Sequence, residues 1–235
     1  MHLPEGILSA PVLIGGAAAA GGGVLWGLRT VRDDRVPVVA LLAATFFVAS
    51  LIHVPVGVGS VHLILNGLAG VLLGWGVFPA LAVGLLLQAV LFGHGGLTVL
   101  GVNTAVMALP ALAVASLLRP LLIRRRWGFA AGFLAGALAA GGSACLMAAA
   151  LALSGRTWLA PAAAALIVHL PIMAVEGVIT GTVVAFLQKV RPEMLDWRTA
   201  GAGGGFEVMH ENDGQGPAAD GGRGAPADGG LRGRP

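Results

Sequence analysis

The first two residues, Met1 and His2, carry three nitrogens that can wrap one metal ion. They are the α-amine of Met1, the backbone nitrogen of His2 and the Nδ1 of its imidazole. Binding through all three closes a five-membered and a six-membered chelate ring in one plane, and a fourth nitrogen completes a square. That geometry suits Ni(II) or Cu(II) and is open to Co(II), whereas Mg and Ca prefer oxygen cages. The amine and the peptide nitrogen must each give up a proton to bind. His2 can equally be the second residue of a solvated chain end, so the rest of the sequence must supply a fourth ligand and a frame.

His62 is the candidate fourth nitrogen. In Val58-Gly59-Ser60-Val61-His62-Leu63 the glycines let the chain turn sharply, which places His62 in the first turn of an apolar helix at a bundle mouth. The competing reading is a helix-start histidine exposed to water. His94 lies in a second glycine-rich break, Phe92-Gly93-His94-Gly95-Gly96-Leu97-Thr98. Asn103, polar inside an apolar run, must find a partner; it either steadies a folded-in amino end or makes an ordinary interhelical bond. His169, Met173 and Glu176 fall at i, i+4 and i+7 and share a helix face. Glu176 is the one acid within the apolar runs, and a carboxylate at membrane depth is a functional candidate. It can pair with His169, carry protons or bind a loop amide; direct metal ligation is the weaker option because His2 already supplies a planar set.

The chain that must position these residues has 235 residues, 57% of them hydrophobic and 11% charged, against roughly 25% charged in soluble domains. No Asp, Glu, Lys or Arg occurs between Val36 and Leu118. Since a spanning helix needs about 20 apolar residues, this is an all-α polytopic membrane protein. About seven spans are expected: 7–28, 36–52, 61–77, 79–92, 97–118, 128–153 and 160–187. With the amino terminus outside and the carboxyl terminus cytoplasmic, the inner loops collect Arg29, Arg32, Arg35, Arg119, Arg124, Arg125, Arg126, Lys189, Arg191 and Arg198. The outer side keeps Arg156 alone, in accord with the positive-inside rule. His2, His53, His62 and His94 then gather at the outer face, with His169 a few turns below it.

Residues 1–199 form the transmembrane, metal-binding part. Residues 200–235, rich in Gly, Ala, Pro, Asp and Arg and including His210, read as a disordered cytoplasmic tail. The basic residues sit where membrane topology requires them, so the net charge of +3 is no sign of nucleic-acid binding. The single cysteine, Cys145, reads as a small packing residue. The one lysine, Lys189, precedes valine, so no phosphate-binding Walker loop exists and any ATPase must be another chain. No His-Glu-x-x-His is present, and the chain reads as a transporter subunit rather than an enzyme. A proton-coupled secondary metal transporter with Glu176 and His169 as relay, a membrane metalloenzyme and a metal-free scaffold remain the alternatives.

Met1-His2-Leu3-Pro4-Glu5-Gly6, the run ending at His62-Leu63, Leu87-Gln88, Phe92 through Thr98, Leu100-Gly101-Val102-Asn103, and His169-Leu170-Pro171 through Glu176-Gly177 resemble the CbiM/NikM family. Its members are substrate-binding membrane subunits of energy-coupling-factor transporters for cobalt and nickel. The resemblance runs from Met1 to about Arg191. It implies about seven transmembrane helices with the amino terminus inserted into the bundle from outside. It also implies Co(II) or Ni(II) as transported substrate, cobalt favoured, held by Met1, His2 and His62. His94, Asn103, His169 and Glu176 are then supporting residues. The implied partners are a CbiQ-like coupling subunit, CbiO-like ATPases and a small CbiN/NikN-like subunit, in the inner membrane of a bacterial or archaeal cell. Glu5 departs from many members, which carry Asp there, but keeps the carboxylate.

Overall fold

The computed structural model describes residues 3–56 and 59–196. Met1 and His2, residues 57 and 58, and the tail from residue 197 on, with His210, lie outside the described residues. All described residues belong to one compact unit, Met1–Gly205; the unit Phe206–Pro235 lies outside them.

Among the described residues seven α-helices and one hairpin follow in order: α1 (Ala10–Thr30), α2 (Val36–Ala49), β1 (His53–Val56), β2 (Gly59–His62), α3 (Asn66–Leu73), α4 (Val77–Phe92), α5 (Leu100–Leu122), α6 (Gly128–Ser154) and α7 (Leu159–Val190). Five stretches are long and apolar enough to cross a membrane: Ala10–Thr30, Asn66–Phe92, Leu100–Leu122, Gly128–Ser154 and Arg156–Val190. On the outer faces, Leu25, Val90, Leu117, Leu153, Ile167 and Phe186 are each more than half exposed. Such a surface is a liability in water and the normal one against lipid, where helices satisfy their own backbone groups. The chain is a nearly all-helical, multi-pass membrane protein. Cys145, expected among packed residues, is instead exposed on this surface.

The stretch 66–92 is not one straight rod. A 3-10 turn at Gly74–Gly76 separates α3 from α4. At that turn the rings of Trp26 and Trp75 lie 6.2 Å apart, and Arg35 Nη2 donates to the carbonyl of Leu72 over 3.5 Å. These contacts put the turn at the Thr30 end of α1. At the far end of α4, Gln88 Nε2 donates to Ser50 Oγ (2.6 Å) and Phe92 packs on Phe47. So α4 runs back beside α2, away from the turn. At 14 residues, α2 is about 21 Å long, short of the roughly 30 Å hydrocarbon core.

The hairpin is the main departure from an all-helical reading. Its strands pair antiparallel with His53 opposite His62 and Val56 opposite Gly59. A helix had been expected to begin at residue 61, with His62 in its first turn; His62 closes β2 instead, and α3 starts only at Asn66. Pro55 removes a backbone donor, and valines at 54, 56 and 58 alternate at the strand period rather than the helical one.

Small residues bring the helices together. A Cβ on Gly136 of α6 would meet Thr180 Oγ1 at 2.7 Å and the backbone of Glu176, so α6 and α7 approach there as only glycine allows. One apolar cluster, with Leu3, Phe46, Ile64, Leu81 and Met107, lies beneath the amino-terminal segment. A second, with Leu42, Val71, Leu122, Val184 and Leu195, fills the opposite end. That end is tied by Arg119 Nη2 to Asp196 Oδ1 (2.7 Å) and by Gln188 Nε2 donating to the Leu122 carbonyl (2.6 Å).

Candidate metal centre

The amino-terminal segment is strapped to the bundle at three places. Leu3, 2% exposed, donates its N–H to Asn103 Oδ1 (3.0 Å) and accepts from Asn103 Nδ2 (3.2 Å). One side-chain amide thus pairs with a backbone residue 100 positions away as a strand neighbour would. Two residues on, Glu5 Oε1 accepts from the N–H (3.0 Å) and the hydroxyl (3.2 Å) of Thr98. The Thr98 amide, then its hydroxyl, hold this exposed carboxyl below its ordinary range, against a smaller opposing effect of desolvation. Ser9 N–H donates to Ser154 Oγ at the end of α6 (3.1 Å). Gly6 turns the chain between the second and third attachments with φ 82°.

Met1 and His2 are outside the described residues, but the residue that follows them is fixed and buried. Leu3 shares an apolar cluster with Ile64, two residues beyond His62. His62 is 4% exposed, not the solvated helix-start residue of the competing reading. Its Nδ1 lies 2.9 Å from the carbonyl oxygen of Leu63, which can only accept. The contact favours the tautomer with the hydrogen on Nδ1, and in that neutral form the lone pair is on Nε2, the arrangement in which a backbone carbonyl orients a ligating imidazole.

Glu176 fixes the segment that follows. Its carboxylate, fully buried, accepts the N–H of Ile64 and, bidentately, that of Leu65 (2.8 and 2.9 Å). Of the three readings open from sequence, the bonds formed are those to loop amides; none to His169 occurs among the described residues. These amides lead into the amino end of α3, where a negative charge is favourable. Leu65 is the one non-glycine residue with positive φ (50°) among the described residues, a conformation that persists where its surroundings over-determine it. Asn66, next in line, donates from Nδ2 to the Met107 carbonyl (3.0 Å) and to Ser143 Oγ (2.8 Å). The piece from His62 to Asn66 is thus gripped by α5, α6 and α7.

The other candidates are dispersed. His169 is buried, with Nδ1 2.6 Å from the Ala165 carbonyl one turn back. His94 is exposed in the loop after α4, its ring 6.2 Å from that of Phe92. Among the described residues, no three His, Cys, Asp or Glu side chains form a metal-holding group. Thr98, Ser154 and the Ile64 and Leu65 amides were missed from sequence. Thr98 had a signal, following three glycines within one break; backbone donors leave none.

A bundle of apolar helices with the segment from Leu3 on strapped into one mouth is that of a polytopic membrane protein. The sequence matches the CbiM family, the cobalt uptake substrate-specific transmembrane region, over residues 2–194, and the chain belongs to that family. A Haemophilus influenzae protein named for metal transport is 44% identical over 83% of this chain and 97% of its own length. The fused nickel transport protein NikMN of Rhodobacter capsulatus is 35% identical over 86% of this chain and 66% of its own. The cobalt transport protein CbiM of Sorangium cellulosum is 36% identical over 72% and 80%. A crystal structure of a transition metal transporter superposes with TM-score 0.69 at 30% identity, over 81% of this chain and 93% of its own.

Proposed function

We propose that this chain is the substrate-binding membrane subunit of an ATP-driven importer of the energy-coupling-factor type, carrying a divalent transition metal with cobalt favoured over nickel. The α-amine of Met1, the backbone nitrogen and Nδ1 of His2, and Nε2 of His62 form a planar four-nitrogen set around the ion. The observation that carries this reading is the double hydrogen bond between buried Leu3 and Asn103. It holds the backbone immediately after Met1-His2 inside the mouth of the bundle, at the apolar cluster that Ile64 shares. The family's description as a cobalt uptake region supports the choice of ion, and the NikMN relative keeps nickel as the second.

The same reading puts the amino end outside the cell and the arginine-rich loops inside, with the helical bundle embedded in the inner membrane. The fused relative supports a small NikN-like partner; CbiQ-like and CbiO-like subunits supply coupling and ATP hydrolysis. Asn103 and Glu176 support the site, through Leu3 and through the segment that carries His62; His94 and His169 line the approach from outside. The grip of Glu176 on two amides favours a structural carboxylate over a proton relay with His169.

The test is metal analysis of purified protein with a free Met1 amine, with Co(II) and Ni(II) in competition. One equivalent of tightly held ion, lost when any residue precedes Met1, is expected. Unchanged affinity in an amino-terminally extended protein overturns the ligand set.

A further inference from the structure

The loop between α4 and α5 is shaped around the Glu5 carboxylate. Gly96, at φ 142°, is in a conformation that side-chain-bearing residues rarely adopt, and a Cβ there would collide with the Glu5 side chain. Immediately after it, the Thr98 amide and hydroxyl both turn onto Oε1, with the Leu97 amide adding to the pull. Successive amides with a hydroxyl, ahead of the amino end of a helix, form an anion-binding concavity. This chain's own fifth residue fills it.

The three attachments differ in how readily they open. Glu5 and Thr98 are exposed, whereas Leu3 and Asn103 are 2% and 3% exposed. Exposed bonds with few packed neighbours open first. Pro4, Glu5 and Gly6 are all exposed and lie between the buried Leu3 and the partly buried Ile7. Of the three attachments, the Glu5 contact is the one that fastens residues 4–6 directly, and losing it leaves Leu3 at the end of a loosened strap.

We propose that Glu5 and the Gly96–Thr98 loop form a latch that sets how long the amino end stays closed over its ion. Glu5 is a positioning residue: it acts by keeping residues 3–9 docked on the bundle, and through them on the ligands proposed above. The latch rests on the ligand set proposed above, so its test has an arm that needs no metal.

Full-length protein with an unextended Met1 is compared with Glu5→Gln, Thr98→Val and Gly96→Ala. Amide exchange of residues 3–9 is followed without metal. Ni(II) dissociation is followed by transfer to excess EDTA. Glu5→Gln and Gly96→Ala are expected to speed both, up to about tenfold, and Thr98→Val less, since the amide donor remains. The absorption bands of bound Ni(II) should match the parent in every variant, and the melting temperature of the metal-free protein in Glu5→Gln and Thr98→Val, separating latch loss from a changed ligand set or misfolding; Gly96→Ala melts lower because its backbone is strained. Unchanged exchange, or faster exchange with unchanged Ni(II) dissociation, overturns the latch. Should the parent bind no Ni(II), the ligand set fails, and the exchange arm alone decides whether Glu5 holds the segment. Gly96→Ala reports independently should Glu5→Gln fail to fold.

Discussion

Asn103 and Leu3 exchange two hydrogen bonds, 3.0 and 3.2 Å, across 100 residues of sequence. Asn103→Ala leaves the buried N–H and C=O of Leu3 without partners, at a cost of roughly 1–3 kcal/mol each. Asn103→Asp keeps the acceptor but loses the donor to the Leu3 carbonyl. Metal affinity is expected to fall more than tenfold in the alanine variant, with new protease cleavage near residue 3; titration calorimetry and limited proteolysis check both. Affinity equal to the parent would remove Asn103 from the site.

His62→Ala should lose high-affinity Co(II) and Ni(II) binding while keeping the helical circular dichroism of the parent. His94→Ala should bind metal normally, since His94 is exposed in the loop after α4 with its ring tilted against that of Phe92. Metal uptake into cells carrying each variant distinguishes them; normal uptake by His62→Ala counts against the fourth ligand.

Glu176→Gln replaces a charge-assisted acceptor by one whose NH2 must face an N–H of Ile64 or Leu65. A loss of roughly 1–3 kcal/mol is expected, read as a lower melting temperature, together with impaired transport. Glu176→Ala should be worse, because Leu65 then keeps its positive φ with nothing to hold it. Full stability in the glutamine variant would show that the charge is dispensable.

Acid should release the segment and the ion at different pH. Glu5 titrates below the ordinary carboxylate value of 4.5 when bonded to Thr98. Its contribution is therefore complete above that value, declines as pH falls below it, and is gone once pH passes the lower, folded value. Metal binding needs a deprotonated amine and imidazole, so it is lost at higher pH. Amide exchange of residues 3–9 in metal-free protein should stay slow from neutral pH to about 5 after correction for intrinsic rates, over a range in which bound Ni(II) is already leaving. Coincident profiles would contradict the assignment.

At the opposite end, Leu195 is 2% exposed in the second apolar cluster and Asp196 pairs with Arg119. Leu195→Ala is expected to cost about 2–5 kcal/mol without changing metal affinity. Melting in detergent and metal titration of the same sample check the two halves of that statement.

Charge-free apolar length was enough to read a helical membrane protein. Asn103 was legible because a carboxamide in an apolar run must bond something. The hairpin was not, because a glycine-rich, valine-rich stretch between helices was weighed as a break rather than for its period of two. For Glu176 a bond to a loop amide was one of three open readings, but the particular amides, those of Ile64 and Leu65, were not legible, because every residue has one. The break between the expected spans 61–77 and 79–92 falls within a few residues of the reversal at Gly74–Gly76, but the first of them was read too long, because α3 has only eight residues and the hairpin before it is just as apolar.

Gly136 leaves room on α6 for the backbone of Glu176, whose carboxylate in turn grips residues 64 and 65. The strand bearing His62 is thereby geared to α7 and not merely packed beside it. A tilt of α7 against α6 would drag the imidazole with it, so a force applied by a neighbouring subunit to the outside of the last helix has a mechanical route to the mouth of the bundle.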